Sequence, residues 1–273
     1  MSITTLVSQP LPEYEKPPVE EVVCGVLFEP IRDFQLPHFG LLWEKFRKEY
    51  PRFQEVAPLA PVIERFEETP STEIEPPELP LPRLWFLHDE GRIIQVQRDR
   101  FLHNWRKQQP TDEYPHYRLV FQMFQNYLST FLGFLNEFHL GPFIPRQYEM
   151  AYVNVIPQGE GWETADDVNK FFPDFAWRSR KGRFLPDPIG INWRMTFPLP
   201  DQAGRLHMNI QSGRRFPDKH RILRFEITAR GIGADTSPEA RQGWFDMAHE
   251  WIVRGFADYT GIQVQQNIWG RKE

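Results

Sequence analysis

The stretch VEEVVCGVLF, residues 19–28, is apolar at positions that face both sides of a β-strand. A strand with one solvated side alternates apolar and polar residues, whereas a strand covered on both sides does not. The stretch therefore predicts a covered or central strand. Downstream, apolar residues in 36–50 follow the spacing of one helical face, and Pro51 ends that run.

The same reasoning along the chain predicts an α+β protein with two similar β-α-β-β-β-α halves. An extended lead-in covers residues 1–18, the first half 19–142, and the second half 143–273. In the first half we expect strands at 19–28, 84–88, 92–97 and 101–106, and helices at 36–50 and 117–138. In the second half we expect strands at 148–156, 189–197, 205–211 and 222–229, and helices at 164–172 and 238–259. A serine cap at Ser237 and a proline at the first helical position, Pro238, mark the start of the last helix. Each half would pack its long helix on one face of an antiparallel sheet, and the two sheets could join.

Residues 51–82 do not fit this pattern. They hold eight prolines and several glutamates, a composition that opposes a regular core element. We interpret them as a long surface connection with one short strand at 62–66. The connection could cover a site or only link two strands.

Composition limits the functional classes. A net charge of -5 over 273 residues gives no electrostatic footprint for general nucleic-acid binding, although a local basic patch remains open. Cys24 is the one cysteine, so the chain can form neither an internal disulfide nor a cysteine-built zinc site. No stretch is long and apolar enough for a membrane span, and the first 18 residues lack the features of a signal peptide. We expect a cytoplasmic protein with no membrane partner.

Polar residues alternate with apolar ones in the three second-half strands, which predicts one core face and one polar face. The polar face would carry groups that form directed hydrogen bonds and charge-assisted contacts with a ligand or partner. An ordinary solvated sheet face is the alternative. The candidate binding residues are Arg194, His207, Asn209, Arg224 and Glu226. In the first half, the side chains that would extend this face are Gln95, Gln97, Asn104 and Arg106.

Two basic clusters lie in predicted loops, with Trp177, Phe184 and Phe216 interleaved. Basic groups beside aromatic rings can bind phosphates and stack on bases. Solvated loops that balance an acidic chain are the alternative interpretation. The candidate anion-binding residues are Arg178, Arg180, Arg183, Arg214 and Arg215.

Motifs for catalysis and cofactors are missing from the sequence. His249-Glu250 does not continue into a His-Glu-x-x-His zinc motif, and no phosphate-binding glycine loop or nucleophile elbow occurs. We therefore expect no metal, no cofactor and no catalytic residue. A hydrolase that uses His207 with Glu226 is a weaker hypothesis, because it requires adjacent strands to bring the two side chains together. We expect Cys24 to be an inert buried thiol.

Three motifs resemble a sporadically distributed family of uncharacterised prokaryotic proteins. They are PPVEEVVCGVLFEP at 17–30, DRFLHNWRK at 99–107, and a closing pattern of Trp244, His249, Phe256 and residues 269–272. The resemblance spans nearly the whole chain and implies a prokaryotic, intracellular protein. It implies no reaction, cofactor or catalytic residue. A patchy distribution is typical of mobile cassettes such as defence or toxin–antitoxin modules.

The sequence thus favours a non-enzymatic binding or regulatory protein. Its polar sheet face and basic loops would hold a protein partner or an anionic ligand. The alternative is a nucleic-acid-associated module with a saddle-like double sheet. A homodimer is a further possibility, because the long helices carry many aromatic residues.

Overall fold

The structure is a computed structural model that describes residues 10–60, 62–64, 83–178 and 182–272. The strands are β1 Val19–Phe28, β2 Arg52–Val56, β3 Arg83–Leu87, β4 Arg92–Gln97, β5 Arg100–Arg106, β6 Pro145–Pro157, β7 Asn192–Pro198, β8 Arg205–Arg214 and β9 Arg221–Gly231. The α-helices of the described residues are α1 Leu36–Phe46, α2 His116–Glu137, α3 Val168–Phe171, α4 Pro238–Tyr259 and α5 Ile262–Asn267.

The nine strands found among the described residues form one antiparallel sheet in the order β2-β3-β4-β5-β1-β6-β9-β8-β7. β1 is the fifth of the nine and pairs with β5 on one side and β6 on the other. The predictions of a covered or central first strand and of an α+β protein with antiparallel strand pairing are confirmed, and the strands form one large sheet. The β1–β6 pairing carries the sheet across the predicted boundary between residues 142 and 143.

Aromatic rings of the long helices contact one face of this sheet. Phe131 of α2 stacks on Phe101 of β5 with ring centroids 5.0 Å apart. On the other side of β1, Phe256 of α4 stacks on Phe225 of β9 at 6.0 Å. We call the face that carries Phe101 and Phe225 the helix-side face.

The two long helices also contact each other. Phe245 of α4 lies 4.8 Å from Phe121 and 5.3 Å from Phe124 of α2, measured between ring centroids. All three rings are buried, so the apolar core continues from the first part of the chain into the second.

The start of α4 follows its sequence signals. Pro238 occupies the first helical turn, and the Ser237 hydroxyl accepts a hydrogen bond from the Ala240 amide at 3.2 Å. The first amides of a helix have no hydrogen-bond acceptor within the helix, and a serine cap supplies one. A proline in the first turn costs no hydrogen bond, because the amide that it lacks would have been unpaired.

Several predicted boundaries are wrong. α1 ends at Phe46 instead of residue 50, and β2 lies at the start of the predicted connection. β2 is an edge strand with four of its five residues exposed, so it has no apolar periodicity and depends on pairing with β3. Ile189 lies before β7 and is 99% exposed rather than part of a core-facing strand. α5 was not predicted.

The strand expected at residues 62–66 is not found at 62–64, and residues 65 and 66 lie outside the described residues. No helix in the described part of the chain is long and apolar enough to cross a membrane.

Candidate functional site

The face opposite the helix-side face crosses both parts of the chain. Consecutive cross-strand partners Asn104, Val23, Ala151, Thr228 and His207 form one row from β5 to β8. We call this side the open face. Its polar side chains include Glu21, Gln95, Gln97, Asn104, Arg106, Gln147, Glu149, Arg194, Arg205, His207, Asn209, Arg224, Glu226, Thr228 and Arg230. The candidate residues predicted for the polar sheet face therefore share one surface.

Three arginines of this face are paired with glutamates of the same face. Arg106 lies 3.0 Å from Glu21, and Arg230 lies 2.6 Å from Glu149. The candidate residues Arg224 and Glu226 form another such pair. These ion pairs neutralise arginines that would otherwise be available to bind an extended polyanion.

Two predicted residues keep hydrogen-bonding capacity. Arg194 is exposed on the edge strand β7. On β8, the Asn209 side-chain oxygen is buried and has no hydrogen-bond partner in the part of the chain that the structure describes. A buried acceptor without a donor costs free energy, so it marks a position where an additional donor would be favourable.

Described residues of the proline-rich connection lie across the open face. We call residues 57–60 and 62–64 the strap. The Leu59 amide donates to the Gln97 side-chain oxygen at 2.9 Å, and the Gln97 amide group donates back to the Leu59 carbonyl at 3.0 Å. Gln147 repeats this arrangement: its oxygen accepts from the Glu64 amide at 2.9 Å, and its nitrogen donates to the Val62 carbonyl at 2.8 Å.

The spacing of the two glutamines fits an extended strap. Gln97, Arg100, Leu27 and Gln147 are successive cross-strand partners, so three interstrand spacings of about 4.8 Å separate the glutamines. That distance of about 14 Å is close to the length of the five residue-to-residue steps from Leu59 to Glu64 in extended conformation, about 16 Å. The strap therefore runs across the strands rather than along them.

The last strap residue, Glu64, binds two side chains of β8 through its carboxylate. Arg205 contacts one Glu64 carboxylate oxygen at 2.5 Å, and the His207 Nε2 lies 2.6 Å from the other. The Glu64 side chain is only 8% exposed. Burial alone would raise the pKa of this carboxyl, but the hydrogen bonds from His207 and Arg205 outweigh burial and leave the pKa below its ordinary value.

Apolar residues in the middle of the open face are buried away from solvent. Leu27 and Leu102 are 3% and 4% exposed, although neither faces the helices. An added Cβ at Gly25 would lie 2.1 Å from a methyl carbon of Leu102, so a larger residue there would force the Leu102 side chain to move. The open face is thus a polar surface with a small apolar centre rather than a uniformly solvated one.

The pair suggested for hydrolysis is not formed. His207 is opposite Thr228 in the β8–β9 register, and Glu226 is opposite Asn209. His207 bonds to Glu64 and to Thr196, whereas Glu226 accepts from Arg224 and Thr228. Each side chain therefore already has other partners, and the register does not bring His207 and Glu226 together as the hydrolase hypothesis requires.

The two basic clusters make contacts within their own loops. Arg183 stacks on Trp177 at 4.0 Å, and Arg215 pairs with Asp218 at 2.6 Å. Arg178 is exposed, and Arg214 donates to the Lys219 carbonyl in the β8–β9 hairpin. Arg180 lies outside the described residues.

Three residues that hold the strap were missed by the sequence interpretation. Arg205 lies on the polar side of an alternating strand, so alternation could have identified it. Gln147 precedes the predicted strand 148–156, and Ala151 and Val153 follow it on the same face of β6, so no alternation marks it. Glu64 lies in a proline-rich stretch without periodicity, and no local signal predicts where its carboxylate binds.

No protein-family model, no curated protein and no solved structure matches this chain.

Proposed function

We propose that this chain is a non-enzymatic binding or regulatory protein whose open face holds an extended, acidic segment of a partner protein. In this structure the strap occupies that position. The observation that carries the proposal is the set of contacts from Gln97, Gln147, Arg205 and His207 to the strap.

The two glutamines support recognition of a peptide backbone. Gln97 bonds both the amide and the carbonyl of Leu59, and Gln147 bonds one carbonyl and one amide two residues apart. Such paired contacts depend on an extended backbone and not on the identity of the side chains. A partner segment of different sequence could form the same bonds.

Charge supports the acidic character of the segment. Arg205 and His207 bind the one strap carboxylate, and residues 65–82 carry five further glutamates in the sequence. A partner segment with a carboxylate at the equivalent position would make the same charge-assisted bonds. Arg194 and the unpartnered Asn209 oxygen on neighbouring strands would add contacts to it.

The basic loops are auxiliary in this proposal. Arg178, Arg183, Arg214 and Arg215 would contact further acidic groups of the partner. The nucleic-acid alternative has less support, because the ion pairs of the open face neutralise cations that phosphates would need. Binding of DNA or RNA that falls steeply with added salt would favour it.

We also propose that the chain is a pseudo-duplication of two β-α-β-β-β-α halves, with its long helices packed on one face. The order of elements supports this proposal, and β2 would then be an addition to the first half. We also keep as proposals from the sequence a cytoplasmic, prokaryotic setting, membership of a defence system and a homodimer.

The register offers a direct test of the peptide-binding site. Val56 of β2 is the cross-strand partner of Arg83 of β3, so a short Asn-Gly turn can replace residues 57–82 without a change in the sheet. We expect this strapless variant to bind a fluorescent peptide of residues 57–82 in an anisotropy titration. The full chain should bind it at least about tenfold more weakly, because its own strap competes at high effective concentration.

Matched variants test whether the peptide binds through the contacts of the open face. In the strapless variant, Arg205→Ala should weaken peptide binding about tenfold or more, while Arg32→Ala, an exposed arginine before α1, should not. A peptide with glutamine at every glutamate should also bind more weakly. A folded strapless protein that binds no peptide would contradict the proposal. If the strapless protein does not fold, Glu64→Gln in the full chain should increase peptide binding.

A further inference from the structure

A second feature lies on the helix-side face, away from the strap. A cavity of about 790 Å³ opens where α2 begins, beside α4. Val19, Tyr152 and Ile227 of three neighbouring strands form its floor, and residues 11–14 close one side. This volume is within the range of small-molecule sites, which are concave and mainly apolar with a few polar groups.

A chain of hydrogen bonds reaches this cavity. The hydroxyl oxygens of Tyr114 and Tyr152 are 2.6 Å apart, and the Tyr152 hydroxyl lies 3.2 Å from His249 Nδ1. The His249 ring is stacked on Tyr117 with centroids 4.2 Å apart. Both contacts hold the imidazole in one orientation at the cavity wall.

The second ring nitrogen of His249, Nε2, is available to form a hydrogen bond with a ligand. Burial lowers the pKa of His249 to about 4, so the ring is neutral at pH 7. Within the described residues, Nε2 has no hydrogen-bond partner. When Tyr114 donates to Tyr152 and Tyr152 donates to Nδ1, the proton of the neutral ring is on Nε2, which is then a donor.

Histidines aside, three carboxylates and three cations line the cavity, and two ion pairs form among them. Glu250 pairs with Arg254 at 2.8 Å, and Glu13 lies 3.7 Å from Lys272. Asp246 accepts from Tyr117 at 2.8 Å and from Gln242 at 2.9 Å. Arg118, in the first turn of α2, also lines the cavity and has no hydrogen-bond or ion-pair partner in the described chain. An anionic group would complement it.

We infer that this cavity is a binding site for a small aromatic carboxylate. The aromatic ring lies among the tyrosines, Ile252 and Phe256, where it loses contact with water. The carboxylate accepts from His249 Nε2 and pairs with Arg118. The site is independent of the strap and of the peptide-binding proposal.

The test uses naphthalene-2-carboxylate and its neutral counterpart naphthalene-2-carboxamide in isothermal titration calorimetry with the full chain. We expect one carboxylate per chain with a dissociation constant below about 1 mM, and about tenfold weaker binding of the carboxamide. Absence of saturable binding at 1 mM, or equal affinity for the two compounds, would overturn the inference.

Three variants locate the binding. Arg118→Gln and His249→Phe should each weaken carboxylate binding about tenfold, and Val253→Trp should abolish it by filling the cavity. Arg32→Gln and Leu41→Trp, exposed substitutions before and within α1, serve as controls that should bind like the unmodified chain. Thermal unfolding checks that each variant is folded. Unchanged affinity in folded Arg118→Gln would also overturn the inference, even if Val253→Trp did not fold.

Discussion

At the level of one residue, His103 shows how burial determines the protonation state of a side chain. The sequence places it on the inward side of β5 between Phe101 and Trp105, and the structure leaves it fully buried there. Neither ring nitrogen has a partner with hydrogen-bond geometry among the described residues. Burial lowers the pKa of His103 to about 3, which the nearby Val120 backbone only partly offsets. The imidazole is therefore a neutral polar group in an apolar core.

We expect His103→Phe to stabilise the protein and to flatten its pH dependence. Below pH 6.5 the unfolded chain binds a proton at His103 that the folded chain does not, so stability falls as pH decreases from 6.5 toward 3. At pH 5 this loss is about 2 kcal/mol in the unmodified chain, from 1.36 kcal/mol per pH unit, and the variant should lack it. Urea unfolding followed by circular dichroism at pH 7, 6 and 5 measures the difference.

His139→Asn is the matched control for this prediction. His139 is exposed and has a positive φ of 51°, a conformation that asparagine tolerates. The control should keep the pH dependence of the unmodified chain. A His103→Phe protein with the same pH dependence as the control would contradict the assignment of the acid sensitivity to His103.

At the level of elements, the strap is held by side chains and not by a β-ladder. Its contacts come from side chains of three strands, β4, β6 and β8. Local sequence patterns predict periodic structure, which residues 51–82 lack. Their prolines and glutamates therefore predicted a connection, but not that it lies on the open face. The alternation that predicted the open face for β4, β8 and β9 was sufficient because those strands are periodic.

Amide hydrogen exchange tests how the strap is held. The Glu64 amide should exchange slowly in the unmodified chain, because it donates to Gln147. In Gln147→Met, a substitution of similar length without an acceptor, we expect exchange at Glu64 to be about five to ten times faster, the equivalent of about 1 kcal/mol for one hydrogen bond. Amides of the β6–β9 ladder should not change.

Gln211→Met provides the comparison, since Gln211 is an exposed residue of the open face on β8. It should leave the Glu64 amide as it is in the unmodified chain. Fast exchange at Glu64 in all three proteins would mean that the strap is not held on the open face in solution.

At the scale of the whole molecule, the sheet and the helix contacts join the two parts of the chain. β1 pairs with β6 along its length, and Phe245 of α4 contacts Phe121 and Phe124 of α2. A shared sheet and a shared core predict one cooperative unfolding transition rather than two.

Phe245→Ala should therefore destabilise both parts together. We expect the free energy of unfolding to fall by about 3–5 kcal/mol, the usual cost of removing a buried phenylalanine ring. Hydrogen exchange in β4 and in β8 should accelerate by the same factor under conditions of global unfolding. Phe184→Ala, at a position that is 97% exposed, should change the free energy of unfolding by less than about 0.5 kcal/mol. Faster exchange confined to β8 would show two independently unfolding parts.

The sequence by itself determined the periodic elements of this protein. The apolar run of residues 19–28 indicated the central strand, alternation separated the two faces of β4, β5, β8 and β9, and Ser237 with Pro238 marked the start of α4. These features depend on local burial and capping, which a residue and its near neighbours encode.

Only the tertiary structure decided which side chains meet. The register puts His207 opposite Thr228 instead of Glu226, and the strap brings Glu64 to Arg205 across more than 140 positions of sequence. The cavity likewise needs residues from the lead-in, α2, α4 and the sheet. Contacts of this kind depend on strand pairing and on the path of a loop, and neither leaves a periodic pattern in the sequence.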